Sequence, residues 1–324
     1  MSGPRQHITP SFYLSQFCGS SPEGCVWVYD KQKDEPRPSD PDAVGLERHF
    51  YSVRNEDGSW NTTLDDWITG VESKAEPVFR GLLSLELPKD HSQEKYDFAL
   101  YLAVLHARTK ANRQLSAEIY ASMIQYKSYV IAREDHFFNS HIRQIEKQRG
   151  EALSPELRES VRQGMLDPSR FIMEVAKAPT LLGFSVVDEL APRLFKMNWM
   201  LVHPERSFFI TSDNPVLRRV PKDSVHPILG DGGWRNKKVE IFVPLSPRLA
   251  LLLTPQPLMR TRGVIPPHTV EEANSAIASD AARFVYAHLQ HKHLQRLVRR
   301  FKDTKHAWRM HGGPKKMAEV RVKR

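Results

Sequence analysis

Strand-forming segments lie near both ends of this 324-residue sequence, and helical patterns occupy the residues between them. The segment from Val26 to Tyr29 is rich in β-branched and aromatic residues, and strand patterns return from Asn198 to Thr254. Between about residues 63 and 196, apolar residues recur at helical spacing instead. This distribution predicts an α+β fold, with a helix-rich middle and a small mixed or antiparallel sheet built from N-terminal and C-terminal strands.

The helical patterns also predict where individual helices begin and end. The strongest pattern runs from Gln93 to Ile131, which is too long for one typical globular helix, so we expect a bend or turn near Arg108–Arg113. Ser154-Pro155 is a favourable helix start, because serine caps the first turn and proline suits the first helical position. Further helices are predicted from Asp167 towards Lys177 and from Thr269 to Phe301.

The positive charge of the chain is concentrated at its C-terminal end. The formal net charge is +9, and residues 288–324 contain 12 Lys and Arg against two acidic residues. The rest of the sequence is therefore close to neutral. We predict a single α+β domain over residues 1–301, followed by a basic, disordered tail over residues 302–324.

A basic tail of this kind has two interpretations. It can attract the phosphate backbone of a nucleic acid, or it can be a solvated segment that only aids solubility. The first interpretation makes candidate nucleic-acid-binding residues of Arg296, Arg299, Arg300, Lys302, Lys305, Arg309, Lys315 and Lys316.

Several classes of protein are disfavoured by what the sequence lacks. No run approaches 18 apolar residues, and the first ten residues contain no apolar signal-peptide core, so we expect no membrane span and a cytoplasmic location. Cys18 and Cys25 are the only cysteines; free thiols are expected there, although a disulfide between them stays open. Neither a phosphate-binding P-loop motif nor a dinucleotide-binding glycine motif is present.

An apolar segment that begins at Phe208 leads into a short polar knot, Thr211-Ser212-Asp213-Asn214, which Pro215 closes. Ser, Asp and Asn side chains commonly hydrogen-bond nearby backbone and form tight turns, so the knot can be purely structural. Alternatively, Asp213 binds a metal or activates water, Asn214 orients a substrate, and Thr211 and Ser212 contact it. The metal identity is not predicted, but a divalent cation would suit these oxygen ligands.

His7 and Glu72 are the other candidate catalytic residues. His7 can anchor the N-terminal segment by hydrogen bonds, or it can act as a general base with Asp213 as its acidic partner. Glu72 lies seven residues after Asp65, so both carboxylates fall roughly on one helix face. Such faces are usually solvated, but together with His7 they could hold a divalent cation.

Arg108 and Arg113 interrupt the long apolar helix with positive charge. Arg108 lies near the apolar face, so we expect it to be drawn inward. A buried arginine needs a carboxylate, which Asp213 or Glu72 would supply. Otherwise Arg108, with Arg113, binds the phosphate of a substrate.

Several of these segments together resemble a known family. They are His7-Ile8-Thr9-Pro10-Ser11-Phe12-Tyr13-Leu14 with Phe17, Val26–Asp30, Phe50-Tyr51, Trp199, Phe209–Val216 and Val243–Pro247. In this combination the chain resembles the bacterial family catalogued as domain of unknown function 4238, over roughly residues 7–286. The resemblance implies no activity, and the basic tail lies beyond it.

Two hypotheses from different classes follow. In the first, the protein is an enzyme that acts on nucleic acid or a nucleotide by metal-assisted phosphodiester hydrolysis, and His7, Glu72, Arg108 and Asp213 converge in one cleft. In the second, it is a non-catalytic module that binds nucleic acid or protein, and these residues are dispersed or hydrogen-bonded internally. Either could belong to a bacterial defence or toxin system. The sequence leaves catalysis and oligomeric state open.

Overall fold

The computed structural model describes residues 5–20, 23–176, 181–225, 232–303 and 318–322. The chain groups into two compact units, of which the first comprises residues 1–112 and 184–304 and the second comprises residues 113–183 and 305–324. The single domain expected over residues 1–301 is not tested by this grouping and stays a prediction.

Helices and strands both occur along the described residues, which confirms the predicted α+β class. The α-helices are α1 Ser11–Leu14, α2 Thr63–Leu83, α3 Gln93–Ala107, α4 Lys110–Arg133, α5 Asp135–Arg149, α6 Pro155–Leu166, α7 Val186–Lys196, α8 Pro267–Asp280 and α9 Lys292–Arg300. The strands are β1 Arg5–His7, β2 Val26–Asp30, β3 Arg37–Ser39, β4 Leu46–Arg48, β5 Val53–Arg54, β6 Trp60–Asn61, β7 Ile172–Val175, β8 Asn198–Pro204, β9 Thr211–Ser212, β10 Leu217–Arg219, β11 Glu240–Ser246, β12 Leu249–Thr254, β13 Arg262–Ile265, β14 Phe284–Ala287 and β15 Glu319–Val322.

A four-stranded sheet in the first unit joins the two ends of the sequence. Its order is β3-β2-β14-β9, and all of its pairs are antiparallel. Val28 of β2 lies opposite Tyr286 of β14, and both side chains are buried. The prediction that N-terminal strands join a C-terminal sheet is therefore confirmed.

A second, five-stranded sheet in the first unit has the order β10-β11-β12-β8-β13. Its pairs are antiparallel except for β13 with β8, so the sheet is mixed. The central strands β11 and β12 are apolar and buried along most of their length, as expected for strands covered on both faces. Helix α3 packs against α2 and α7, and apolar residues of these helices share one hydrophobic core with residues of this sheet.

The long helical pattern breaks where the sequence predicts a turn. Helix α3 ends at Ala107, and α4 begins at Lys110. The Thr109 side-chain oxygen accepts a hydrogen bond from the backbone N–H of Asn112 at 3.1 Å, which caps α4. The Asn112 amide in turn donates to the Ala107 carbonyl at 2.8 Å, so the end of α3 also gains a partner. These two contacts fix Arg108 at the turn.

The second unit is built from the larger part of α4, from α5 and α6, and from a two-stranded parallel sheet. Strand β15 pairs with β7, and small residues of α4, Ala117 and Ala121, pack against Val175 of β7. Residues 319–322 thus form a strand where we predicted a disordered tail, because the alternating Glu319–Val322 sequence pairs with β7. Residues 304–317 and 323–324 of that predicted tail lie outside the described residues.

Two predicted helices are wrong in part. The segment from Asp167 towards Lys177 forms a short 3-10 turn over Pro168–Arg170 and then strand β7. The segment from Thr269 to Phe301 is helix α8, strand β14 and helix α9. In both cases a short run of β-branched or aromatic residues gains a strand partner that is distant in sequence, and tertiary pairing overrides the local helical pattern.

Candidate functional site

The polar knot after β9 forms a buried corner of the first unit. The Asp213 carboxylate accepts hydrogen bonds from three successive backbone N–H groups, those of Ala282 at 2.8 Å, Arg283 at 2.9 Å and Phe284 at 3.0 Å. The Asp213 N–H returns a bond to the Phe284 carbonyl at 3.0 Å. The carboxylate therefore fixes the connection between α8 and β14. We call this cluster, with Thr211, Ser212 and Asn214, the Asp213 corner.

Charges around the Asp213 corner are balanced within the protein. Burial raises the pKa of Asp213, and its three N–H donors and Lys31 oppose that rise. The buried ammonium group of Lys31 donates to the carbonyl oxygens of Ala281 at 2.5 Å and Ser279 at 3.2 Å. Lys31 is a contributor that sequence analysis missed, because a lone lysine beside a predicted strand carries no signal of burial.

The other three residues of the knot also bind within the corner. The Asn214 amide donates to the Asp280 carboxylate at 2.6 Å, and Ser212 Oγ bonds both the N–H and the carbonyl of Asn214. Thr211 Oγ1 lies 2.6 Å from the Tyr13 hydroxyl. All four knot residues are buried. Their catalytic and substrate-binding roles stay predictions, and the geometry supports a structural role.

A second polar cluster surrounds Arg108, which is 1% exposed. Its Nη1 donates to Glu72 Oε1 at 2.5 Å, so Glu72 rather than Asp213 is its carboxylate partner. Its Nε and Nη2 are buried and have no hydrogen-bond partner. The buried hydroxyl of Tyr101, two turns earlier on α3, also has no partner. We call Arg108, Glu72, Tyr101 and His7 the Arg108 centre.

His7 joins this centre from strand β1. Tyr51 anchors the strand, because its hydroxyl donates to the His7 carbonyl at 3.0 Å and its N–H donates to the Gln6 side chain at 2.7 Å. Burial lowers the pKa of His7, and the Arg108 guanidinium lowers it further, whereas Glu72 raises it. This coupling places the imidazole within electrostatic range of both Arg108 and Glu72. Its Nδ1 is buried without a partner.

The remaining electrostatics of the centre favour a charged arginine beside a protonated tyrosine. Burial lowers the pKa of Arg108, but Tyr51 and Glu72 raise it by more. Burial also raises the pKa of Tyr101 well above its ordinary value, so the hydroxyl keeps its proton. Burial raises the pKa of Asp65 on α2, with Glu72 among the carboxylates that add to it. The centre therefore presents hydrogen-bond donors beside a fixed positive charge.

The centre has a side that reaches solvent. The Glu72 side chain is 23% exposed, and His7 is half-buried. Strand β4, which pairs with β1, lines a shallow pocket with Leu46, Glu47 and Arg48. His7 and Glu72 are thus the members of the centre that reach solvent, and Arg108 is not among the residues that line the pocket.

Glu72 contacts Arg108 directly, and His7 lies within electrostatic range of both. The Asp213 carboxylate is instead bound by the backbone N–H groups of residues 282–284. The predicted roles of these four side chains stay predictions. Arg113 is the first residue of the second unit. Its predicted substrate-binding role stays a prediction. Tyr101 is a member that sequence analysis did not single out; its position seven residues before Arg108 on one helix face is the signal that could have identified it. Among the described residues, no group of three or more His, Cys, Asp or Glu side chains is arranged to hold a metal ion.

The predicted nucleic-acid-binding residues divide in two. Arg296, Arg299 and Arg300 lie on α9, and Lys302 follows it, all exposed. The other four, Lys305, Arg309, Lys315 and Lys316, lie outside the described residues.

Comparison with known proteins gives one match. A family profile described as "Protein of unknown function (DUF4238)" matches residues 5–291, which include the Arg108 centre and the Asp213 corner. Comparisons with curated proteins and with solved structures gave no match. Separately, no helix among the described residues is both long enough and apolar enough to cross a membrane.

Proposed function

We propose that the protein, which belongs to the DUF4238 family, is an enzyme that acts on a phosphodiester of nucleic acid or a nucleotide. Its proposed site is the Arg108 centre. The observation that carries this proposal is the buried guanidinium of Arg108, which keeps two donors, Nε and Nη2, without a protein partner. The proposal omits Asp213, whose carboxylate is occupied by backbone donors.

The unpartnered donors favour an oxyanion ligand. A buried N–H group without an acceptor is costly, so these positions are normally filled by ordered water or by ligand oxygens. The planar guanidinium presents its donors in a fixed fork that matches two oxygens of one phosphate. The Tyr101 hydroxyl adds a neutral donor beside them. A phosphate oxygen would replace water at donors that are already oriented.

The same centre contains a candidate base. The lowered pKa of His7 keeps its imidazole neutral at pH 7, and a neutral imidazole can accept a proton from an attacking water. Glu72 holds Arg108 in place through its 2.5 Å contact and acts as a positioning residue. Participation of a divalent cation is tested as an arm of the assay.

The test measures binding and hydrolysis with the full chain. Inorganic phosphate, mononucleotides, bis(p-nitrophenyl) phosphate and end-labelled RNA and DNA are compared in EDTA, Mg²⁺ and Mn²⁺. Arg108→Lys keeps the charge but loses the fork, so we expect binding of the active compound to weaken by about 10- to 100-fold. His7→Gln should lower kcat with little change in binding.

Arg283→Lys is the matched control. This variant removes a guanidinium fork that binds the Asp30 carboxylate at 2.7 and 2.9 Å. Arg283 belongs to the surroundings of Asp213 and not to the Arg108 centre, so activity per folded molecule should be unchanged. Hydrolysis that survives Arg108→Lys intact, or the absence of binding to every phosphate compound, would overturn the proposal.

A specific observation favours nucleic-acid binding without catalysis as a second candidate. Lys292, Arg296 and Arg300 are exposed at intervals of four residues on α9, about 6 Å apart along the helix axis. None of them has an ion-pair partner in the described part of the chain, whereas the neighbouring Arg299 pairs with Asp34 at 3.0 Å. We call these three residues the α9 stripe. An unneutralised row of cations suits a phosphate backbone.

Salt dependence tests the second candidate. We expect binding of labelled single-stranded nucleic acid to weaken steeply with salt, and replacement of the three cations by Gln should reduce the slope of log K against log salt by about 2. Arg299→Gln, which removes a cation that is already paired, is the matched control. An unchanged slope in the triple variant would remove the α9 stripe from consideration.

A further inference from the structure

The two cysteines of the chain lie on facing backbone segments. Ser20 and Glu23 form an isolated antiparallel bridge between the two segments. The N–H of Gly19, the residue after Cys18, donates to the Cys25 carbonyl at 3.0 Å, so one hydrogen bond joins the backbone beside Cys18 to that of Cys25. A disulfide requires Cα atoms roughly 4.4–6.8 Å apart, and this contact brings the two cysteines close to each other.

The thiols themselves are available for reaction. Both are free and half-buried. Cys18 Sγ lies 3.2 Å from the carbonyl oxygen of Gly24, the residue next to Cys25. Burial raises the pKa of Cys18, and Cys25 adds to that rise, so the two thiols are within electrostatic range of each other. The raised pKa leaves less of Cys18 as thiolate at neutral pH, so it reacts more slowly than an ordinary cysteine thiol.

Gly19 fixes this arrangement against the rest of the first unit. A Cβ atom at Gly19 would lie 1.8 Å from the carbonyl oxygen of His288, so only glycine allows this close approach. The segment that carries Cys18 is consequently held against the residue that follows β14. Packing outside the pair thus helps to hold the Cys18 segment in place.

We propose that Cys18 and Cys25 form a modification site, a dithiol that low-molecular-weight disulfides such as glutathione disulfide convert to an intramolecular disulfide. The Cys25 thiolate attacks one sulfur of the small disulfide, forms a mixed disulfide and releases one thiol. The Cys18 thiolate then attacks Cys25 Sγ and releases the second thiol. The protein loses two electrons and two protons, and the small disulfide gains them.

The position of the pair gives the bond a structural consequence. The bond connects the end of the α1 segment to the start of β2. Helix α1 carries Tyr13, whose hydroxyl contacts Thr211 and the Pro244 carbonyl, and β2 pairs with β14. Oxidation would therefore crosslink the N-terminal segment to the four-stranded sheet and restrict the conformations of the unfolded chain. This inference is independent of the proposed phosphodiester activity.

The test uses the full chain in buffers of graded glutathione and glutathione disulfide, followed by alkylation and intact mass measurement. We expect the wild type to lose two hydrogens, to take up no alkylating agent and to show one peptide crosslink between Cys18 and Cys25. Its melting temperature should rise by a few degrees on oxidation. Cys18→Ser should instead retain glutathione on Cys25, because the displacing thiol is gone.

Other outcomes overturn the inference. They are two alkylated cysteines at the most oxidising ratio, two stable glutathione adducts on one wild-type molecule, or a disulfide-linked dimer without the internal crosslink. The wild-type mass decides between them even if a variant folds poorly.

Discussion

The Asp213 corner and the Arg108 centre are both buried polar clusters of the first unit, but they differ in how their hydrogen bonds are satisfied. At Asp213, the carboxylate accepts from three backbone N–H groups and a buried lysine lies nearby, although Asn214 Oδ1 in the same corner is buried without a partner. At Arg108, two guanidinium nitrogens and the Tyr101 hydroxyl have no partner. A charged group whose hydrogen bonds are satisfied stabilises the fold, whereas one with unpaired donors has capacity left for a ligand.

The difference shows that a polar, proline-closed sequence motif is weak evidence for a site. Asp213 has the stronger local pattern, and its bonds are used to join α8 to β14. Arg108 has only its place at a helix break, and the other members of its centre are supplied by β1, α2 and α3. Three experiments can break or sharpen this comparison.

The largest effect is expected from Asp213→Ala. Removing the carboxylate leaves three buried N–H groups without acceptors and Lys31 without its facing charge, so the free energy of unfolding should fall by about 4 kcal/mol. Urea denaturation measures it. Asp223→Ala, which removes an exposed partner of Lys238, should cost less than about 1 kcal/mol. A stable Asp213→Ala protein without activity would reverse the comparison.

The pH dependence of stability should differ in sign between Asp213 and His106, which lies two residues before Arg108. His106, the second-last residue of α3, has its pKa lowered to about 4 by burial and by Arg218. A lowered histidine pKa means that the unfolded state binds the proton first. Its contribution is therefore present above about pH 6.5 and lost as the pH falls towards 4, at a cost of at most about 3 kcal/mol. The raised pKa of Asp213 acts in the opposite direction.

Denaturation at pH 7.5 and pH 5 measures this effect. His106→Gln should flatten the loss of stability on acidification, and the exposed His136→Gln should leave it unchanged. Equal acid sensitivity of the wild type and His106→Gln would show that the acid response arises elsewhere.

The smallest of the three effects is expected from Glu72→Ala. The buried guanidinium of Arg108 loses its one carboxylate contact, and the free energy of unfolding should fall by about 2 kcal/mol, less than for a fully buried pair because Glu72 is partly exposed. Glu76→Ala, one turn later, breaks only an exposed pair with Arg80 and should cost less than about 0.5 kcal/mol. Thermal denaturation of both variants gives the comparison, and equal losses would contradict it.

The parts of the fold that local sequence determines were predictable. The turn near Arg108 follows from polar residues that interrupt an apolar helix, and the start of α6 follows from Ser154, whose side chain accepts from the Leu157 N–H. Strand β14 was not predictable from its neighbours, because Phe284–Ala287 is set by pairing with β2 near the other end of the chain. Periodicity reports local structure and carries no information about a distant partner.

The same limit applies to the candidate site. A buried arginine needs a carboxylate, which correctly gave Glu72 and Asp213 as the possible partners of Arg108. Which of the two it contacts depends on the packing of α2 against α3, and this is a tertiary property. Tyr101 was not singled out, because a buried tyrosine on an apolar helix face looks the same whether or not its hydroxyl has a partner.

The pairing of β2 with β14 has a consequence for synthesis on the ribosome. Asp30 of β2 pairs with Phe284 of β14, so the ribosome must add roughly 250 residues after β2 before that partner exists. At about 5–20 residues per second, this takes on the order of 10–50 s. During this interval the apolar side chains Val26 and Val28 lack the sheet that buries them in the finished protein. The exposed β2 segment of the nascent chain is therefore a defined early target for a chaperone. The four-stranded sheet can form only when translation is nearly complete.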